Sequence, residues 1–197
     1  MKHPWIAFTA ICSLVMGIVL ICVIFGGYSS LVRCQSRINT VKQMLADPCT
    51  AQVALALRLT TLAHDFGREK TDLERTAQKL KAVLIKMAAA KDPLSRDLIK
   101  EFETAQNKIT QGIEILAAQL KDRLPSEKID PILLEQEELN TTIIVMVKQY
   151  NKQASYFNTR SRQFPGMFIA KLFSLDHLRF PEIIPPPLTQ EETASAS

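Results

Sequence analysis

Glu135, Glu137 and Glu138 crowd into one short stretch, and His64 stands beside Asp65. Paired carboxylates can act as general acid and base, and a histidine with an aspartate can activate a nucleophile. Neither group assembles that chemistry. The acids follow Asp130-Pro131, a helix-start signal, and negative charge in the first turns of a helix answers its macrodipole. His64 and Asp65 are neighbours in sequence, so on a helix they point to different faces, and no third group joins them. Cys12, Cys22, Cys34 and Cys49 form no C-x-x-C, and His3, His64 and His177 are scattered, so no zinc spacing exists. Unpaired thiols suit a reducing compartment. No phosphate-cradling loop, dinucleotide fingerprint, nucleophile elbow or H-E-x-x-H occurs. The expectation is a protein that is not an enzyme. It has no catalytic, cofactor-binding or metal residues, no small-molecule substrate and no nucleic-acid partner.

One segment keeps a chemical bias. Between Glu138 and Asp176 no acid occurs, while Lys148, Lys152, Arg160, Arg162 and Lys171 do. Bases near a helix C-terminus complement its dipole. The same five form a possible contact for anionic lipid or an acidic partner, each worth about 1 kcal/mol at a membrane surface. Asn151 and Asn158 can bond across a bundle or near the helix end.

These residues need elements to hold them. The chain has 197 residues, 47% hydrophobic and 22% charged, with 6 glycines and 7% aromatics. That is length for one domain with a core, and it leans to helix over sheet. A net charge of +4 is too weak to argue for nucleic acid. Trp5 to Tyr28 carries no charge and is bracketed by aromatics, the pattern of an uncleaved transmembrane helix. It is too long for a signal peptide's apolar core and lacks a small-residue cleavage site. Arg33, Arg37 and Lys42 follow it before the first acid, against Lys2 before it, so the positive-inside rule places the bundle in the cytoplasm.

Beyond the span, Asp47-Pro48, Asp92-Pro93 and Asp130-Pro131 each read as an aspartate N-cap with proline at the first helical position. The segments between carry heptad stripes. Leu55, Leu59, Leu62, Phe66, Leu73, Leu80, Val83 and Met87 mark one, broken only by Glu69 and Thr76. Leu94, Leu98, Phe102, Ala105, Ile109, Ile113, Leu116 and Leu120 mark the next. Ile132, Leu139, Ile143, Met146, Tyr150, Phe157 and Phe164 mark the last. The helix length between Pro48 and Lys91 far exceeds that between Arg33 and Ala46. Asp47-Pro48 is therefore either a kink or a reversal, or the chain bends near Gly67, or the second helix overhangs. After Pro165, "GMFIAKLFSL" reads as a short helix whose Met167, Phe168, Leu172 and Phe173 form the apolar face. That face caps the bundle or lies on the membrane. "RFPEIIPPPLTQEETASAS" reads as an extended, mobile tail.

The end of the last long helix also carries a resemblance. Tyr150-Asn151, then Tyr156-Phe157-Asn158-Thr159, then Gln163-Phe164-Pro165, then Phe168-Ile169-Ala170-Lys171-Leu172-Phe173 resembles the C-terminal signature of the LemA family. "QEEL" at Gln136–Leu139, "LPSEK" at Leu124–Lys128 and Asp47-Pro48 after the apolar run are similar to further family elements. The chain lacks the family's T-E-N-R-I stretch, with Thr142–Val147 in its place. It also lacks the tryptophan and Arg-Arg of the first soluble helix, so it resembles a divergent member. The resemblance implies a single-pass membrane protein with a cytoplasmic helical bundle.

The expectation is thus an all-α chain, with a single N-terminal transmembrane helix followed by an antiparallel bundle of three to four long helices. Residues 1–30 are the anchor, 31–174 the bundle and 175–197 the Pro-rich tail. The expected role is a scaffold or interaction module with a protein partner. The alternative is an anionic-lipid-binding or membrane-remodelling module using the basic segment.

Overall fold

The computed structural model describes residues 4–65, 72–90, 93–121 and 123–187, and every regular element among them is a helix. The helices are α1 (Pro4–Asp65), α2 (Asp72–Ala89), α3 (Arg96–Lys121), α4 (Ser126–Arg160) and α5 (Gly166–Leu172). The all-α architecture follows the sequence expectation.

α1 has 62 residues, about 93 Å of continuous helix at 1.5 Å per residue. Its N-terminal part is long and apolar enough to cross a membrane, and the side chains from Phe8 to Val23 are exposed. From Leu31 onward the same helix enters the bundle. Leu31, Cys34, Ile38, Val41, Leu45 and Cys49 are all buried, in steps of three and four that keep one stripe inward.

Asp47-Pro48 is neither a helix start nor a reversal, because α1 runs straight through it. Proline within a helix removes one backbone bond and costs roughly 3 kcal/mol. Burial of Leu45 and Cys49 on either side offsets that loss. α2 runs back along α1, ending beside Lys42; Phe66, Gly67 and Glu69 lie outside the described residues. Asp130-Pro131 likewise sits inside α4, which already begins at Ser126. Asp130 caps nothing there and instead pairs with Lys121 at 3.4 Å, at the end of α3. Beyond Pro93, α3 begins only at Arg96, with the Leu98 amide donating to Ser95 Oγ at 3.2 Å. Serine, not aspartate, is the N-cap.

Neighbouring helices run antiparallel. Arg58 on α1 meets Glu135 near the start of α4 (2.8 Å), and Cys34 Sγ donates to the Gln153 carbonyl near its end (3.5 Å). Lys86 near the end of α2 pairs with Glu101 near the start of α3 (3.2 Å). α4, with 35 residues, is long enough to follow α1 along the whole bundle, whereas α2 has only 18. Lys42 Nζ donates to the Ala90 carbonyl at 2.8 Å, closing the C-terminus of α2 beside Lys42. The α2–α3 hairpin therefore stops about 22 Å short of Gly27 along α1. The predicted stripes are otherwise buried in α3, apart from half-buried Leu98, and in α2, where Ala77 replaces Thr76 in the inward series. In α4, Tyr150 and Phe157 are buried but Phe164 is exposed, because the helix ends at Arg160 and the heptad register does not reach it.

Residues 175–187 enter the gap below the hairpin and run on up beside α3. Expected to be a mobile tail, they lie packed between α3 and α4, with Leu178, Phe180, Ile183 and Pro186 buried. Phe180 meets Phe157 edge-on, with ring centroids 5.0 Å apart. A buried polar layer crosses the core higher up: Gln106 Nε2 donates to Gln52 Oε1, and Gln52 Nε2 to Thr110 Oγ1 (3.2 Å).

Truncation of Phe157 to alanine is expected to lower stability by about 3–5 kcal/mol in denaturant titration of the detergent-solubilised chain, since the ring is wholly buried. A loss below about 1 kcal/mol would contradict the packing. Burial pushes the Cys49 thiol up to about 12 from an ordinary 9.0. Between those values the unfolded chain loses a proton that the fold keeps, so stability falls by roughly 1.4 kcal/mol per pH unit as pH rises. The Cys49→Ala chain, less stable at neutral pH, should show a shallower fall over that window.

Candidate functional site

Among the described residues, no group of three or more His, Cys, Asp or Glu side chains converges as metal ligands would. Glu135 is in an ion pair with Arg58, and Glu137 and Glu138 are exposed. Cys34 and Cys49 are buried free thiols. Burial raises the pKa of Cys34 against the smaller, opposing influence of Arg37, so little of it is thiolate at neutral pH.

The five predicted basic residues do not form one patch. Lys148 and Lys152 are exposed along α4. Arg160 turns back onto Tyr156, donating to its hydroxyl at 2.8 Å and lying 5.6 Å from the ring centroid. Lys171 is exposed on α5. Arg162 joins bases from other elements. It lines a cleft of about 700 Å³ with Arg96 and Lys100 at the start of α3 and Arg179 on the tail. Glu103 and Glu182 also line it, and Glu103 accepts the Ile184 amide at 2.6 Å. Leu94, Ile99 and Phe180 give the cleft an apolar wall.

The residues of the C-terminal signature have concrete positions. Asn158 grips Phe180 twice: its Nδ2 donates to the Phe180 carbonyl (2.7 Å) and its Oδ1 accepts the Phe180 amide (3.1 Å). Asn151 does the same to Ile183, at 2.6 and 2.8 Å. Asn140 donates to the Pro187 carbonyl at 3.3 Å. Seven residues of helix rise about 10.5 Å, and three residues of extended chain span about 9–10 Å. Two asparagines two turns apart on α4 therefore match every third residue of the tail. This clamp was missed because "RFPEIIPPP" reads as disorder by composition. The available signal was Asn151 and Asn158 at a spacing of seven, with Phe180, Ile183 and Pro186 at a spacing of three.

Pro165 ends the turn after α4, and a Cβ on Gly166 would collide with the Arg160 carbonyl oxygen, so only glycine fits there. Of the two alternatives for the apolar face of the following helix, the cap on the bundle does not hold. Ile169 and Ala170 are buried, whereas Phe168 and Leu172 are exposed. The reason is Gly27: α5 approaches α1 so closely there that Ile169 occupies the space of a missing Cβ. Phe173 stacks on Tyr28 with centroids 4.2 Å apart.

Comparison with known proteins gives no match to a family model, to a curated protein or to a solved structure.

Replacing Asn158 by alanine would leave the Phe180 amide and carbonyl without their partner, a loss of about 1–3 kcal/mol. Hydrogen exchange read by mass spectrometry should then speed up over residues 175–187 before the rest of the bundle. Unchanged exchange there would mean that the tail's apolar side chains hold it alone.

Proposed function

We propose that this chain is a single-pass membrane protein, a divergent relative of the LemA family, that holds a rigid helical bundle at one membrane face and acts as an interaction module without turnover. The observation that carries this reading is the continuity of α1. The exposed apolar segment and the bundle's longest core helix are one element with no linker between them. A soluble bundle has no use for so long an exposed apolar helix, which would aggregate in water. The bases Arg33, Arg37 and Lys42 just past the span favour a cytoplasmic bundle. The dense packing and buried thiols favour a presented surface over a catalytic one.

The test is direct. Alkaline carbonate should leave the full chain in the membrane pellet, and site-specific crosslinkers on the exposed faces of α2 and α3 should give the same discrete adducts in repeated cell preparations. Release into the supernatant would refute the anchor. Intact anchoring with no adducts from any face would refute the interaction role.

The cleft at Arg162 favours a second reading, binding of an anionic lipid headgroup. None of its four bases forms an ion pair with a described residue, and the cleft lies at the end of the bundle from which the apolar part of α1 emerges. The full chain in nanodiscs should melt at a higher temperature with anionic lipid than with neutral lipid. Salt, and the pair Arg162→Gln with Arg179→Gln, should abolish the difference. Equal melting in both lipids would end this reading.

A further inference from the structure

α5 carries two faces with different fates. Ile169 and Ala170 are sealed against the bundle, and Ile169 nests at Gly27 where the exposed part of α1 gives way to core. On the other side Phe164 is 81% exposed, Phe168 63% and Leu172 65%. Phe164 and Phe168 meet edge-on with centroids 6.0 Å apart, so the outer surface is a cluster and not three isolated residues. Large apolar groups are exposed elsewhere in the bundle too, among them Ile85, Ile115 and Leu134, but these lie on separate helices. A contiguous apolar cluster needs a partner.

We infer that this outer face of α5 is a second membrane contact, seated at the boundary between lipid headgroups and acyl chains. This rests on the proposed reading of α1 as a membrane span. The occupant is identified by continuity. The exposed apolar surface of α1 runs up to Tyr28, and α5 joins it there through the Tyr28–Phe173 stack and the Gly27–Ile169 contact. The cluster therefore lies level with the end of the span, turned away from the bundle. Aromatic side chains concentrate at that depth in membranes. Charge agrees: Lys171 is exposed on α5, Arg160 lies one turn before it, and no acid occurs between Glu138 and Asp176. A short apolar helix with adjacent bases binds weakly alone but adds to an existing anchor. The consequence is two-point seating. The span fixes the bundle's position and α5 fixes its tilt.

Trp5 is the sole tryptophan, which makes the test clean. The full chain is reconstituted into phosphatidylcholine vesicles whose lipids carry bromine at a shallow or a deep acyl position. In the unmodified chain, quenching of Trp5 reports the span. In the Trp5→Phe, Phe168→Trp chain, the indole should be quenched more by shallow than by deep bromine, with a blue-shifted emission. Trp5→Phe, Ile85→Trp places the probe on an exposed site of α2 and should not be quenched. Trp5→Phe, Leu172→Trp repeats the α5 measurement should the position-168 variant misfold. Quenching at position 5 with none at 168 or 172 would overturn the α5 contact and leave the span standing. No quenching at position 5 would overturn the span itself.

Discussion

The seam between α1 and α4 is the constraint on which the remaining elements depend. Among the described helices only these two are long enough to reach from the distal end of the bundle to Gly27, and no other described pair packs together more extensively. Their facing stripes bury Leu31, Ile38 and Leu45 from one side and Ile143, Tyr150 and Phe157 from the other. A two-helix ribbon cannot cover both apolar stripes alone. The α2–α3 hairpin supplies the missing layer at the distal end. At the other end it is too short, and α5 with residues 175–187 supplies it instead. The C-terminal segment is thus a structural layer of the fold, though it has no regular secondary structure beyond α5.

Much of this was legible in the sequence, and what was not has identifiable physical causes. Heptad spacing found the inward faces of α2, α3 and α4 because burial of an apolar stripe dominates helix packing. The Asp-Pro signals misled at Pro48 and Pro131, because a local start signal competes with helical burial on both sides of it and loses. Phe164 was placed in the core by extending a register past the true end of α4. That Ile169 and Ala170, and not Phe168 and Leu172, would face the bundle was not legible because a seven-residue helix has too few positions to reveal its inner side. The deciding feature, Gly27, lies far away in sequence. Composition alone made the tail look mobile, since prolines deny it a backbone ladder; asparagine side chains supply those hydrogen bonds instead.

Among the described residues, acids such as Glu135 and Glu101 are held in surface ion pairs and Glu103 accepts a tail amide, and two of the four thiols are sealed in the core. Gln52, Gln106 and Thr110, which enter the interior, bond to one another across helices and so specify how α1 and α3 align. Such an interior is built to hold one shape. The four bases at the Arg162 cleft, by contrast, share it with Glu103 and Glu182 but form no ion pair with a described residue, and they stand at the end nearest the apolar part of α1. That is where the proposed module has chemistry to offer.

The linker-free passage of α1 from apolar segment to bundle also makes the molecule a torsion rod. An α-helix turns about 100° per residue, so a single residue inserted between Tyr28 and Leu31 would rotate everything beyond it by that angle while lengthening it by only about 1.5 Å. A flexible tether would absorb such a change; this helix passes it on undiminished. With α1 spanning the bilayer as proposed, any twist or lean that the lipid imposes on the span appears at the far tip of the bundle, amplified by the length of the rod.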